Sequence, residues 1–354
     1  MVREDTSDPG PYRAPVWLAG GHAQTMWAPL ARRPSVDYRR ERVDAPDGDV
    51  WLFDWIGDDG PGNSPVVVLF HGLEGSSGSH YAVSLMAHAG RRGWRGVVAH
   101  FRGCGGEPNR APRAYHSGDH AEVGAMLAAE RVLAGPDAPI HAPGVSLGGS
   151  ALVNWLGRAG ASARALRARA AAVSTPLDLM AAGVSIGQGA NRLYARHFLR
   201  TLKPKALALA QRHPGLIDVD RLARARSMDE FDDAVTAPLH GYEDTRDYWT
   251  RASSKPWLAR VGVPTLVINA RNDPFVPAAS LPRPDQVSAD VVLEQPDGGG
   301  HAGFVSGAFP GHHDWLARRL LAWFAGEAAR APGIMGTPAT SDGIATGAPA
   351  HPDA

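Results

Sequence analysis

The chain alternates between short, continuous runs of apolar residues and longer segments in which apolar residues recur every three or four positions. Continuous apolar runs are typical of strands buried on both faces of a sheet, and the longer spacing is typical of helices. After a hairpin over 38–56, the predicted strands lie at 64–70, 96–101, 139–143, 169–174, 263–270 and 289–294. The predicted helices lie at 81–91, 120–133, 149–156 and 316–324. This alternation predicts an α/β fold with a mostly parallel sheet covered by helices on both faces.

The segment between the predicted strands at 169–174 and 263–270 is too long for a simple crossover, and we expect a helical insertion at about 178–255. Its helical patterns cover 191–202, 205–211 and 219–225. Four large apolar residues recur at helical spacing: Tyr194, Phe198, Leu199 and Leu202. They can pack the insertion onto the sheet, or they can form the apolar underside of a lid over a pocket. Both roles are compatible with the pattern on different faces of the insertion.

The domain boundaries follow from the composition of the two ends. Residues 331–354 consist mainly of Pro, Gly, Ala, Ser and Thr and contain almost no large apolar side chains. Such a segment cannot bury enough apolar surface to offset the entropy lost on ordering. We therefore predict a disordered tail over 331–354, a disordered N-terminus over 1–14, and one domain over 15–330 that includes the helical insertion as a cap.

Composition and charge narrow the class of protein. The chain has 36 Lys and Arg residues against 36 Asp and Glu residues, and this balance argues against a nucleic-acid partner. Residues 1–6 carry acidic side chains and lack the apolar segment of a secretory signal. No apolar run is long enough for a transmembrane segment. The single cysteine, Cys104, cannot form an internal disulfide, so we expect a cytoplasmic protein.

The most informative motif is Gly144-Val145-Ser146-Leu147-Gly148, which matches G-x-S-x-G. It lies between a predicted strand and a predicted helix, where a sharp turn would expose the Ser146 hydroxyl above the sheet. Glycines two residues to either side avoid a clash between the adjoining strand and helix. The motif alone is weak, since glycine and serine are common in loops. In this context it predicts that Ser146 is a nucleophile.

Two downstream residues complete a catalytic pattern. Asp273 follows the predicted strand at 263–270, and His301 follows the predicted strand at 289–294 on a glycine-rich loop. Either residue by itself could be an ordinary loop residue. Serine, acid and histidine in this order, each after a strand, predict the triad Ser146-Asp273-His301. Asp297 is a second candidate for the acid, although it would have to reach His301 across three glycines.

The upstream half supplies candidates for an oxyanion hole. The predicted strand at 64–70 ends in His71-Gly72-Leu73-Glu74-Gly75. In a serine hydrolase of this topology, one backbone N–H comes from such a loop and another from the residue after the nucleophile. These donors are predicted to be the N–H groups of Leu73 and Leu147. A phosphate-binding loop is excluded, because the segment lacks both the G-K-[ST] ending and the G-x-G-x-x-G spacing.

The chain also resembles a known family in several segments, which lie at 21–27, 71–75, 101–109, 115–119 and 231–242 and in the two loops that carry Asp273 and His301. They span about residues 15–325 and are similar to the AB hydrolase superfamily, within it the YheT-like (AB hydrolase 4) family. This resemblance implies an α/β-hydrolase fold, a Ser-Asp-His charge-relay triad, and esterase or acylglycerol-lipase activity. One departure is Pro143, in the strand before Ser146, where an uninterrupted apolar run would be usual.

The sequence therefore predicts a serine hydrolase that cleaves carboxylic esters through an acyl-enzyme. A small-molecule ester or lipid is the expected partner, with medium- or long-chain acyl esters such as monoacylglycerols favoured by an apolar lid. No metal or cofactor is needed for this chemistry. The first alternative is an acyltransferase, in which an alcohol attacks the acyl-enzyme in place of water. The second is a non-catalytic acyl-binding protein that has kept the fold.

Other candidate sites are less specific. His213 and Asp218 match the H-x4-D pattern of some acyltransferases, but Pro and Gly between them indicate a turn. His312, His313 and Asp314 could be metal ligands, but the two adjacent histidines at a helix start diverge, no further ligand lies at useful spacing, and a helix start is the simpler interpretation.

Cys104 is interpreted as a small buried residue, and a role as a second nucleophile is the alternative. Arg102, Tyr115, His116 and Asp119 belong to the family-like segments, and we expect them to brace the loop behind the oxyanion hole.

Overall fold

A twisted sheet of eight strands forms the centre of the molecule. The computed structural model describes residues 8–57, 64–166 and 168–327. The strands are β1 Arg39–Asp44, β2 Val50–Ile56, β3 Val66–Phe70, β4 Arg95–His100, β5 Ile140–Val145, β6 Ala170–Val173, β7 Thr265–Ile268 and β8 Val291–Glu294. They are arranged in the order β1-β2-β4-β3-β5-β6-β7-β8. Strand β2 pairs antiparallel with β1 and β4, and the other neighbours are parallel.

The helices lie between the strands and in the segment before β7. They are α1 Gly21–Trp27, α2 His80–Arg91, α3 His120–Ala134, α4 Leu147–Ala159, α5 Leu179–Ile186, α6 Arg192–Arg212, α7 Val219–Arg224, α8 Met228–Phe231, α9 Ala237–Leu239, α10 Thr245–Ala252 and α11 Asp314–Ala325. A π-helix, Asp232–Thr236, joins α8 to α9. Short 3₁₀ helices cover Ala28–Leu30, Gly160–Leu166, Gly189–Asn191, Lys255–Arg260, Ala278–Ser280 and Pro284–Gln286.

The core has two layers because alternate residues of each strand face opposite sides of the sheet. On β3, Val66, Val68 and Phe70 pack with helices α3 and α4. The intervening Val67 and Leu69 pack with α2 and α11 on the other face. Helices therefore cover both faces of a mostly parallel sheet, and the predicted α/β-hydrolase fold class is confirmed.

The chain between β6 and β7 forms the helical cap, which comprises α5 to α10. The helical patterns predict two helices that are separated at Pro204, but in the structure α6 is continuous through this residue. Proline removes one N–H and normally breaks a helix. Here Pro204 is exposed, so the carbonyl that loses its partner can be hydrated, while Leu199, Leu202, Ala206 and Leu209 hold both halves in the cap core. Tertiary packing thus overrides the local break.

Pro143 lies inside β5, where the strand pairs with β6 without interruption from Ala142 to Val145. On the other side, β3 pairs with Ile140, His141 and Gly144. Since proline has no N–H to donate, a gap in one ladder at this position is expected. The departure from the family pattern is thus accommodated within the strand.

The N-terminal boundary differs from the prediction in part. Residues 8–14 lie against the domain, because the buried Tyr12 ring contacts Phe304 and Trp315 and its hydroxyl donates to the Val305 carbonyl oxygen at 2.7 Å. The ordered domain therefore begins before residue 15. Residues 1–7 and the predicted disordered tail over 331–354 lie outside the described residues.

Candidate active site

Ser146 lies on the sharp turn between β5 and α4, with φ of 53° and ψ of −120°. The glycines around it have no room for a side chain. A Cβ at Gly144 would lie 2.6 Å from the Gly148 carbonyl oxygen, and one at Gly148 would lie 2.4 Å from the Phe70 carbonyl oxygen. Close approach of β5, α4 and β3 therefore requires the glycines of the motif, and this packing holds Ser146 in its strained conformation.

The three predicted triad residues lie within hydrogen-bonding distance of one another. His301 Nε2 is 2.9 Å from Ser146 Oγ, and His301 Nδ1 is 2.9 Å from Asp273 Oδ2. The Asp273 side chain is fully buried, and its other oxygen accepts from the backbone N–H groups of Phe275 and Val276 at 2.8 and 3.3 Å. This arrangement suits an Nδ1–H tautomer, which leaves Nε2 free to accept the serine proton.

The loop that carries His301 is held by helix α1. The buried Gln24 side-chain oxygen accepts from the Gly299 N–H at 2.6 Å and from the Asn272 amide at 3.0 Å. Thr25 Oγ1 accepts from the His301 N–H at 2.9 Å. Asn272 completes this bracing network by accepting from the Gly300 N–H at 3.0 Å.

Sequence reasoning missed these bracing residues. Gln24 and Thr25 both lie in the family-like segment 21–27, and membership of that segment is the signal that the sequence offers for them.

The loop after β3 presents one unengaged N–H to the site. Gly72 N–H donates to the Tyr81 hydroxyl at 2.9 Å, and Glu74 N–H donates to the Tyr115 hydroxyl at 2.9 Å. Gly75 N–H donates to the Gly72 carbonyl oxygen at 2.9 Å. Within the described part of the chain, the Leu73 N–H has no hydrogen-bond acceptor. Leu73 and Ser146 line the same pocket, as an oxyanion donor must.

Leu147 is the first residue of α4, where a backbone N–H has no intrahelical acceptor. The same helix N-terminus carries the positive end of the helix dipole next to Ser146. The predicted pair therefore flanks the serine, with Leu73 on the loop after β3 and Leu147 at the first position of α4. Both residues line the pocket.

Buried polar residues fix the shape of the oxyanion loop from behind. His71 is fully buried, and burial lowers its pKa to about 3, so the ring is neutral. Its Nε2 accepts from the Phe101 N–H at 3.1 Å, which leaves the proton on Nδ1 to donate to the Gly72 carbonyl oxygen at 2.8 Å. Burial also raises the pKa of Tyr115 well above its ordinary value. Its hydroxyl proton is therefore retained and is donated to Glu74 Oε1 at 2.8 Å.

Of the residues predicted to brace this loop, Tyr115 has that role. Arg102 instead joins a buried ion network with Glu122 and Asp49 at 2.7 and 2.9 Å. Asp119 binds Arg113 at 2.6 Å. These ion pairs connect the turn before β2, the loop after β4 and the start of α3, and they contribute to the scaffold of the domain.

The rival candidates lie elsewhere. Asp297 is fully exposed and lies 3.9 Å from Arg271, whereas the carboxylate at His301 Nδ1 belongs to Asp273. His213 contacts the Arg110 carbonyl oxygen, and Asp218 caps α7.

The remaining candidates also have other partners. His313 contacts the Ala28 carbonyl oxygen, and residues 8–57, 64–166 and 168–327 contain no group of three or more His, Cys, Asp or Glu side chains that could hold a metal ion. Burial raises the pKa of Cys104 to about 11, which keeps it a thiol and a poor nucleophile.

A pocket extends from Ser146 and His301 between the sheet and the cap. Cap residues supply most of its apolar lining: Leu179, Ile186, Phe198, Leu202, Leu209 and Phe231. Leu199 instead packs inside the cap, and Tyr194 contacts Phe275 next to His301. Phe198 and Leu202 thus line the pocket, as the lid interpretation expects, whereas Leu199 packs within the cap and not onto the sheet.

The far side of the pocket has one buried acid, Asp232, at the start of the π-helix. It accepts from the Thr236 hydroxyl at 2.7 Å and from Trp249 Nε1 at 2.9 Å. Burial raises the pKa of Asp232 to about 6, and these two hydrogen bonds offset the effect only in part. A single π-helical turn often marks a functional position, and here it directs a carboxyl group into the pocket lining.

This raised pKa has a measurable consequence for stability. Between the ordinary carboxyl pKa of 3.8 and about 6, the folded protein keeps a proton that the unfolded chain releases. The free energy of unfolding therefore falls as pH rises through this window. Urea unfolding at about pH 4.5 and about pH 7.5 measures this loss, to which we expect Asp232 to contribute about 1–3 kcal/mol in the wild type. The Asp232→Asn variant should lack this contribution.

The asparagine side chain can still accept from Trp249 and donate to the Thr236 hydroxyl, so the fold should be retained. Asp220→Asn removes an exposed cap carboxylate and should unfold with the wild-type pH dependence. Equal pH dependence in Asp232→Asn and the wild type would show that Asp232 is ionised in the folded protein over the whole range.

The chain is similar to known proteins in both sequence and fold. The sequence model of the alpha/beta hydrolase fold family matches residues 65–308. A membrane phospholipase A of known structure superposes with a TM-score of 0.52 at 17% identity, covering 86% of this chain and 90% of that chain. At such low identity the likeness shows the fold alone. The chain therefore belongs to the alpha/beta hydrolase fold family, and it is an esterase-type hydrolase.

Its curated relatives give the subfamily. It is 39% identical over 308 residues to "Putative esterase YheT" of Escherichia coli (strain K12), covering 85% of this chain and 89% of that protein. It is 31% identical over 317 residues to the human protein "Phospholipase ABHD3", covering 87% of this chain and 76% of the relative. The predicted YheT-like (AB hydrolase 4) assignment is confirmed.

Proposed function

We propose that this chain cleaves carboxylic esters through a Ser146-Asp273-His301 triad and an acyl-enzyme. The observation that carries the proposal is the pair of 2.9 Å contacts that join His301 to Ser146 on one ring nitrogen and to Asp273 on the other. Both contacts are within the range in which a nucleophile, a base and an orienting acid cooperate.

The proposed reaction has two steps. His301 takes the proton of Ser146 as its oxygen attacks the acyl carbon, and the N–H groups of Leu73 and Leu147 stabilise the oxyanion. His301 then donates the proton to the leaving alcohol, which leaves the acyl group on Ser146. Water attacks this acyl-enzyme with His301 as the base and releases the carboxylic acid. Asp273 holds the imidazole tautomer and stabilises the imidazolium in both steps.

We further propose a lipid-like substrate, an ester of a medium- or long-chain acid such as a monoacylglycerol. The apolar cap residues over Ser146 support this, because burying each CH₂ of an acyl chain contributes roughly 0.8 kcal/mol. The name of the human relative, a phospholipase, is consistent with a lipid ester. In the part of the chain that the structure describes, no helix is long and apolar enough to cross a membrane.

The proposal is tested with a series of p-nitrophenyl esters. We expect hydrolysis of all members and an increase in kcat/KM of at least about tenfold from acetate to octanoate, since six more CH₂ groups enter the apolar pocket. Added glycerol or ethanol should divert only a minor share of acyl groups into a new ester. Ser146→Ala from the same preparation is the control for contaminating esterases.

The alternatives give different products. Mostly transesterified product at modest alcohol concentration would favour an acyltransferase. Tight binding of a fatty acyl compound with no turnover of any ester would favour the binding protein.

A further inference from the structure

The outer face of α6 concentrates positive charge in a chain whose net charge is zero. The helix contains six basic residues and no acidic one: Arg192, Arg196, Arg200, Lys203, Lys205 and Arg212. The first three lie four residues apart on the exposed face. Within the described residues, none of these three arginines forms an ion pair with a carboxylate. We call Arg192, Arg196 and Arg200 the arginine stripe.

Exposed apolar side chains form a second feature near the N-terminus. The apolar patch comprises Val16, Met26, Leu30 and Phe309, which are between 60% and 99% exposed, together with the rings of Trp17 and Trp27. Phe309 lies 5.4 Å from Trp17 and 5.6 Å from Trp27, measured between ring centroids. The two indole N–H groups donate to backbone carbonyl oxygens, so the rings need no further polar partner. A contiguous exposed apolar patch of this kind marks an interaction surface.

The start of α6, which carries the first residue of the arginine stripe, lies beside α1, which carries part of the apolar patch. His22 and Met26 are one turn apart on α1, and the His22 ring stacks on Tyr194 of α6 with its Nδ1 3.3 Å from the tyrosine hydroxyl. Leu193, next to Tyr194, is itself exposed. The start of α6 therefore lies against α1, and we treat the arginine stripe, Leu193, His22 and the apolar patch together as one candidate docking surface.

This surface is also next to the proposed catalytic centre. The Tyr194 ring meets Phe275 at 4.7 Å, and Phe275 meets the His301 ring at 4.4 Å. The inner face of α6 lines the pocket with Phe198 and Leu202. Tyr194, where α6 meets α1, is therefore two aromatic rings from the histidine.

We propose that this surface docks the enzyme onto the surface of an anionic phospholipid bilayer. Arginines above an apolar face with Trp and Phe are the pattern of a segment that lies in the headgroup region. Each cation near an anionic leaflet strengthens binding by about fivefold. The positive charge of the arginine stripe is complementary to the negative charge of such a leaflet. The docking itself is independent of catalysis, although its use in loading the pocket rests on the proposed lipid-ester substrate.

The test uses the full-length Ser146→Ala protein and vesicle co-sedimentation, so that no lipid is consumed. We expect vesicles with about 30% phosphatidylglycerol to bind at least about tenfold more tightly than pure phosphatidylcholine, with the difference shrinking as salt rises. Adding Arg196→Glu and Arg200→Glu should weaken anionic binding at least about tenfold. Adding Met26→Ser and Phe309→Ser should weaken binding to both vesicles.

The matched control adds Arg39→Glu and Arg283→Glu, which make the same change of charge at exposed arginines near opposite edges of the sheet. These changes should leave vesicle binding within about twofold of the parent, because screening limits their reach. Unchanged anionic binding in the α6 double variant, or no vesicle binding by the parent, would overturn the proposal. The proposal would also be overturned if the parent forms a dimer that does not bind vesicles and that the Met26→Ser and Phe309→Ser changes dissociate.

A separate readout keeps this proposal distinct from the proposed catalysis. With Ser146 intact, the Arg196→Glu and Arg200→Glu variant should cleave soluble p-nitrophenyl butyrate at the wild-type rate. Loss of vesicle binding with normal soluble activity is the expected result. If soluble activity were absent from the wild type as well, the catalytic proposal would fail while vesicle binding remained a valid test of docking.

Discussion

Ser146→Ala is expected to lower ester turnover by roughly four to six orders of magnitude while leaving the protein folded. The variant removes the atom that attacks the acyl carbon, and Cys104 cannot substitute for it, because burial raises the pKa of this thiol to about 11. Alanine fits the turn sterically, since Ser146 Oγ is directed at His301 and not at the scaffold. Residual activity would come from the oxyanion donors and substrate binding alone.

The location of the nucleophile is checked by fluorophosphonate labelling followed by mass spectrometry. The adduct should lie on Ser146 in the wild type and should be absent from Ser146→Ala. Ser174 provides an internal comparison, because it is fully buried and its Oγ accepts from the Ala302 N–H at 2.8 Å. An adduct on Ser174 or Ser117 would overturn the assignment of Ser146.

Asp273→Asn is expected to keep the fold and lose roughly two to four orders of magnitude in kcat. The physical reason is the histidine tautomer. The backbone N–H groups of Phe275 and Val276 would hold the asparagine carbonyl oxygen where Asp273 Oδ1 now lies. The amide NH₂ would then face His301 Nδ1 and donate to it, which moves the ring proton to Nε2 and blocks proton acceptance from Ser146.

The matched control is Asp297→Asn, four residues before His301. Its carboxylate is fully exposed and lies near Arg271, so kcat should stay within about twofold of the wild type. Circular dichroism of both variants would verify folding. A large loss in Asp297→Asn with a normal Asp273→Asn would make Asp297 the triad acid.

Local sequence determined most of the scaffold. Apolar runs and helical periodicities predicted the strands from β3 to β8 and helices α2, α3, α4 and α11, because burial on a sheet or helix face imposes those periods directly. The residues nominated for the triad also lie together, since parallel strands bring the loops at their carboxyl ends to one edge of the sheet. Order along the chain was enough to nominate Ser146, Asp273 and His301.

Contacts between distant segments determined the rest. Gln24 and Thr25 hold the His301 loop across more than 270 residues, and no local pattern shows which loop a short helix will meet. The continuous α6 helix formed despite Pro204 because the cap core holds both halves.

The distribution of charge shows the same contrast between what the sequence determines and what the tertiary structure determines. The overall balance of acids and bases does not reveal a local cluster, and only the packing of α6 leaves Arg192, Arg196 and Arg200 exposed on one face. Asp232 likewise lines the pocket and has a raised pKa only because the folded cap buries it. Composition and periodicity are properties of the chain, whereas desolvation and the local density of charge depend on which surfaces the tertiary structure buries and which it leaves in water.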